Sequence, residues 1–484
     1  MKPNHDRNSA SASVFSARFR WMLFIGCALT LLIGILRVTQ RHEPAPAALS
    51  ADPSSAEAST ATARPEHSPW FVRRTATAPA PTAEEIVAGK LQQFTRSRRE
   101  LAREMARRKG VAVPDEVERF FDTLESGNWE EIDRQWKILA KKSRQYDDST
   151  DADSPKLDPV WNAVLDAYGA AEQVHEWPAQ KLLDYGNAIL DSLRPGMVYV
   201  GGTDYGRWVP TLLNETSGRE PHIIVTQNAL ADGRYVEYMN TLYGDRFAAV
   251  TEGDSQRAFR EYVTDAQRRL EHDLQFPDEP KQLRFGEDVK LVDGKVQVGG
   301  QVAVMSINEK LLQALMAKNP DLDFAVQESS PLRGTYTDAL PLGPIMELGA
   351  RDAQTTFTPE RAAQSLDYWR NMAQQVFSDP EAMNSSYALK SYSHDTVSTA
   401  NLLASHNFTA EAEEAYRLAA QLWPGNPESV GGLADLLTRG GRDAEARQIV
   451  GEFNRNHPDQ RKDLERISGA ARIIGSTPAT AGPM

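Results

Sequence analysis

The spacing of hydrophobic residues changes period along the chain, and each change marks an element. Ile86, Leu91, Phe94, Leu101 and Met105 share one side of a helix, and Thr82 followed by Glu85 supplies its capping box. Helical spacing resumes near Pro114 through Phe120, Phe121 and Leu124, continues from Trp129 to about Tyr146, and returns from Asp158 or Pro159 to Tyr168. An acidic stretch, 147–153, divides the last two. Trp129, Trp136, Trp161 and Trp177 are assigned to cores rather than to a cofactor pocket.

Beyond a helix over 178–193 the period shortens. The apolar runs 197–200 and 221–226 read as strands flanking a helix over 207–216, the order of a small doubly wound α/β domain. Asp293-Gly294 between 289–292 and 295–298 is a hairpin signal, and 324–327 returns as a strand of the same layer. Near the end, Leu402-Leu403, Ala410-Glu411-Ala412 and Pro424 recur 34 residues later as Leu436-Leu437, Ala444-Glu445-Ala446 and Pro458. Small residues at helix crossings and a proline past the second helix suit stacked hairpins, so the segment predicts a tetratricopeptide-like pair of repeats with a capping helix over 460–470.

The N-terminus carries a different pattern. The uncharged run 21–36 begins at Trp21, and Val38 extends it past Arg37; as a helix, its roughly 24 Å approaches the hydrocarbon core of a bilayer. Lys2, Arg7, Arg18 and Arg20 precede it against Asp6 alone, which places the N-terminus in the cytoplasm and the rest of the chain in the periplasm of a bacterial inner membrane. A cleaved leader, with Cys27 after Phe-Ile-Gly as a lipoprotein-like boundary, is the competing reading. The expected organisation is a basic terminus (1–20), an anchor (21–38), a Pro/Ala-rich tether (39–81), a helical adaptor (82–177), an α/β domain (178–350), a helical connector (351–391), the repeats (392–474) and a flexible tail (475–484).

Charge narrows the partners. Lys+Arg number 54 against 67 Asp+Glu, a net charge of -13, which disfavours broad binding to nucleic acid. The local exception, seven basic residues over 96–109 with only Glu100 and Glu104, lacks interleaved aromatics and reads as a solvated helix face. Cys27 is the sole cysteine, so an internal disulfide and a cysteine-based zinc site are excluded within one chain.

Candidate chemistry gathers at the strand ends. Gly201-Gly202-Thr203-Asp204-Tyr205-Gly206 is a tight turn presenting short polar side chains, and 227–232 forms a second polar loop. Asp204, Arg207, Asn228 and Asp232, with Glu328 and Arg333 from the loop after the third strand, compose the candidate ligand crevice. Asp204 suits a sugar hydroxyl or a divalent ion, Arg207 a phosphate or carboxylate, and Asn228 can orient a ligand. The same residues equally read as helix caps and a salt bridge. Neither loop has a GxGxxG or GxxxxGK[ST] arrangement, so no cofactor is expected, and no histidine cluster predicts a metal.

The segments 201–207, 226–232, 327–332 and 339–343 together resemble the soluble region of bacterial DUF2723, or protein O-mannosyltransferase-like, membrane proteins that end in tetratricopeptide repeats. The resemblance spans about 180–458. It implies relatives that are multi-span glycosyltransferases using a lipid-linked sugar, with their chemistry in a membrane part this chain lacks. The expectation is therefore a membrane-anchored interaction or scaffold protein of the bacterial envelope, held in lipid by 21–38 and docking an envelope protein through its repeats. The alternative is sugar binding or glycosyl transfer in the crevice.

Overall fold

The computed structural model describes residues 80–143, 157–202, 204–284, 287–292, 295–327, 337–349 and 357–469. Helix α1 (Ala83–Arg108) opens with the capping box: Thr82 accepts from the Glu85 backbone N–H, and the Glu85 carboxylate accepts from the Thr82 N–H at 2.9 Å. Its inner face, Val87, Phe94, Ala102 and Met105, is interrupted by Arg98, whose side chain is 0% exposed. The guanidinium forms a bidentate pair with Glu215 and lies 4.1 Å from the Phe94 ring centre.

Helices α2 (Asp115–Ser126), α3 (Trp129–Lys142) and α4 (Trp161–Glu176) pack beside α1 around stacked aromatics. The rings of Trp136 and Tyr168 are 4.1 Å apart at 7°, and Trp136 and Trp161 5.2 Å apart at 15°. Helix α5 (Ala179–Leu190) then leads to β1 (Val198–Gly201), α6 (Asp204–Glu215) and β2 (Ile223–Thr226). After α7 (Gly233–Tyr243) and α8 (Glu252–Gln275), β3 (Asp288–Val292) and β4 (Lys295–Gly299) pair antiparallel as a separate ribbon. Helix α9 (Gly300–Lys318), β5 (Phe324–Val326), β6 (Leu340–Leu342) and β7 (Ile345–Leu348) complete the central unit.

The main sheet has the order β2-β1-β5-β7-β6. Its first three strands are parallel, with Val198 opposite both Ile223 and Phe324, whereas β7 and β6 return antiparallel. Side chains alternate across it. Val198, Val200, Ile223, Val225, Phe324 and Val326 join Tyr235, Met239, Leu311 and Leu315 in one core. Tyr199, Ile224 and Ala325 join Tyr185, Val209, Leu213 and Tyr392 in the other.

The C-terminal part is helical: α10 (Pro359–Ser378), α11 (Pro380–Asn384), α12 (Ser386–Ser405), α13 (Thr409–Leu422), α14 (Pro427–Arg439), α15 (Asp443–Asn456) and α16 (Arg461–Ile467). Leu403, Ala412, Tyr416, Leu433, Leu437, Ala446 and Phe453 form its own core.

Three expectations are corrected. The fold is mostly helical with two small open sheets, and the antiparallel β6–β7 hairpin on the main sheet replaces a doubly wound layer. The C-terminal helices do not form a repeat array in which each unit touches only its neighbours. Helix α12 also packs on β6 and β7, and its Tyr392 and Leu422 of α13 lie in the core shared with α5 and the sheet. The expected anchor from Trp21 to Val38 lies outside the described residues, and among those described no helix is long and apolar enough to cross a membrane. Lipid contact, the single-pass inner-membrane topology and the periplasmic placement are accordingly withdrawn.

Two glycines of similar helical setting test the packing. A Cβ on Gly169 of α4 would lie 2.0 Å from the Trp208 ring, whereas one on Gly89 of α1 would meet nothing within 4 Å. Gly169→Ala is expected to lower stability by about 1–3 kcal/mol, and Gly89→Ala to raise it by about 0.5–1 kcal/mol, both read from urea midpoints. Equal effects would contradict the α4–α6 contact. Arg98→Met, which strands Glu215 beside a buried apolar chain, is expected to cost about 3–5 kcal/mol, with part recovered on adding Glu215→Leu in the same assay.

Candidate functional site

At its C-terminal end β1 runs directly into α6, and the join has no room for side chains. A Cβ on Gly201 would sit 2.8 Å from the Cβ of Arg207 and 2.9 Å from the Gly206 carbonyl oxygen. The Gly206 carbonyl accepts a hydrogen bond from the Tyr199 hydroxyl at 2.5 Å. A Cβ on Gly206 would overlap Gln327 Oε1, at 1.4 Å, so the helix starts flush against the residue that follows β5. Since β1 lies between β2 and β5, these ends meet where the chain order reverses, the usual crevice of an open α/β sheet.

The predicted site residues divide at this point. Asp204 begins α6 and is half-buried, and Asn228 is half-buried in a 3-10 turn, Gln227–Ala229, directly after β2. The register that sets Gly201 opposite Thr226 brings these two loops to neighbouring strand ends. Asp232 instead caps α7: it accepts from the Arg234 N–H at 2.9 Å and pairs with the Arg234 guanidinium at 3.0 Å. Arg234 also holds Asp158 at 3.1 Å, so Asp232 serves the capping role that its sequence position equally allowed. Glu328 and Arg333 lie outside the described residues.

Arg207 turns inward. Its guanidinium lies 4.2 Å from the Trp208 ring centre and 4.0 Å from Asp166, and its Nε has no hydrogen-bond partner among the described residues. It faces a polar cavity of about 10 Å³ shared with Arg98, Asp166, Thr226, Tyr235 and Tyr238, room for about one water. Asp166 accepts from the Tyr238 hydroxyl, and Tyr235 Oη accepts from the Thr226 N–H at 2.6 Å. Burial pushes the Tyr235 hydroxyl up to about 12, so it stays protonated at neutral pH.

Two features of the strand ends carried no signal in the sequence reading. Gln227 is 1% exposed, yet among the described residues neither its Oε1 nor its Nε2 has a hydrogen-bond partner. Gln327, 0% exposed, donates to Tyr185 Oη at 2.8 Å and to Asp395 Oδ1 at 2.6 Å. Tyr185 donates to Asp395 Oδ2 at 2.9 Å. Burial raises the Asp395 carboxyl to about 7, against the pull of the hydrogen bonds from Tyr185 and Gln327. The clue was compositional: 391–399 is rich in Ser and Thr around Asp395, with Val397 as its only large aliphatic residue, yet it forms the buried middle of a helix.

Most of the basic run 96–109 pairs within the molecule, Arg96 being exposed. Arg99 pairs with Glu118, Asp122 and Glu125, and Arg103 with Glu100 and Glu118. Arg107 and Arg108 share Glu104, and Lys109 reaches Glu237.

Compared with protein-family models, curated proteins and solved structures, the chain matches none. The resemblance to DUF2723 or protein O-mannosyltransferase-like proteins is therefore overturned. The expectation of an envelope scaffold, which rested on the anchor and the repeats corrected above, and the sugar-binding or glycosyl-transfer alternative are withdrawn with it.

Proposed function

We propose that the chain is a binding protein for a small polar molecule, seated at the C-terminal ends of β1 and β2. The observation that carries this reading is Gln227. A buried amide with both polar atoms unpartnered costs free energy, so its retention directly after a strand calls for a compensating role. The group has a donor and an acceptor side by side, complementary to a ligand edge with adjacent N–H and C=O, such as a carboxamide, a cyclic imide or a nucleobase; with the side chain 1% exposed, that edge is reached when the loop 227–232 opens.

The surrounding residues support the same chemistry. Gly201 lets backbone approach closely, and Asn228 offers a second amide one residue further on. Asp204, at the start of a 12-residue helix, can accept from a ligand N–H or O–H. These groups orient a ligand by hydrogen bonding; the reading assigns them binding roles and no bond-making step.

The test pairs affinity with stability. Uracil, nicotinamide and acetamide serve as probes, with binding followed by calorimetry and by the side-chain amide resonances of Gln227. The wild-type chain is expected to bind at least one probe. Gln227→Leu is expected to lose at least tenfold in affinity while gaining about 1–3 kcal/mol in stability, because it removes an unpaired buried amide. Binding that survives the substitution, unchanged stability, or silence from all three probes overturns the proposal.

A further inference from the structure

The joint between α5, the end of β5 and α12 encloses a carboxylate that forms no ion pair among the described residues. Asp395 accepts from Gln327 at 2.6 Å and from Tyr185 at 2.9 Å, while Gln327 also donates to Tyr185 at 2.8 Å, closing a triangle across three elements. Other titratable groups reach it from every side: Tyr199 of β1 and Tyr205 of α6 through Tyr185, Tyr368 of α10, and Tyr392 and His394 of α12 itself. Tyr392 in turn senses Asp184 and Asp379, which share Lys181. His394, the nearest cation when protonated, hydrogen-bonds Glu428 at 3.0 Å.

We propose that Asp395 is a proton-linked latch: a proton on this carboxylate fastens α12 to the sheet, and ionisation loosens that joint. The inference is independent of the ligand reading. Its physical basis is the desolvation of a carboxylate that accepts hydrogen bonds from Tyr185 and Gln327 and, among the described residues, makes no ion pair, with His394 supplying an opposing charge only when protonated. Burial shifts Asp395 from its ordinary 3.8 to about 7, so the closed joint takes up a proton that the open joint releases. Its stabilising contribution is complete below about pH 4, declines as pH rises through about 7, and is flat beyond. Within that window each pH unit multiplies the opening equilibrium by about ten.

Hydrogen exchange of the full chain, corrected for intrinsic rates, reads the opening of α12 directly. Between pH 5 and 6.5 the opening equilibrium of the α12 amides is expected to rise about tenfold per unit, then to level above pH 7. Asp395→Asn is expected to flatten this dependence, whereas His394→Gln, which removes an imidazole whose charge acts on Asp395, leaves the dependence in place. Tyr185→Phe deletes a hydrogen bond to the charged form and is expected to move the levelling point to higher pH, so it tests the latch even if Asp395→Asn fails to fold. A pH-independent α12 in the wild-type chain, a dependence abolished by His394→Gln, or a levelling point unmoved in Tyr185→Phe overturns the proposal.

Discussion

The layers of this protein are tied together at the end of β5 by a polar contact that tolerates little adjustment. Gln327, Tyr185 and Asp395 are fully buried or nearly so, and each is hydrogen-bonded to the other two. The apolar cores on either side can accommodate small shifts of a side chain. A triangle with bonds of 2.6 to 2.9 Å cannot, and it fixes the seating of α5, the sheet and α12 relative to one another. Gly206 extends the constraint to α6, because the start of that helix occupies space that any side chain would take from Gln327.

A second polar contact sets the other flank. Arg98 reaches across from α1 to Glu215 near the end of α6, with Asp166 of α4 3.6 Å from its Nε. Arg269 repeats the arrangement elsewhere, holding a fully buried Glu287 against α8. Arginine suits both places, since its planar fork satisfies two carboxylate oxygens at once and it remains charged when desolvated. The helices in front of the sheet are thus joined to it by specific ion pairs as well as by the stacked rings of Trp136, Trp161 and Tyr168.

Legibility in the sequence followed local physics. The capping box and apolar spacing located the start of α1, since these signals belong to the helix itself. The runs 197–200 and 221–226 were readable as strands for the same reason. What remained hidden was nonlocal. The antiparallel return of β7 depends on which edge of β5 is free, and the burial of α12 depends on Tyr185, 210 residues earlier. At the candidate site, Asp204 and Asn228 were legible as short polar residues after strands. For Arg207 the sequence left a ligand contact and a salt bridge open, and its approach to Asp166 is a nonlocal contact that spacing does not reveal. Gln227 gave no warning, since an amide in a polar loop looks like solvent-facing sequence.

The span of that triangle has a consequence for the order in which the chain can become native during synthesis. Tyr185 and the strands β1 and β2 leave the ribosome long before residue 395 exists, and α5 and α6 can pack against them at once. The hydroxyl of Tyr185 and the amide of Gln327 then wait without the carboxylate that completes their bonding. The seam between sheet and C-terminal helices is consequently among the last parts of the molecule to close, a long-range contact whose formation is set by translation of the final quarter of the chain.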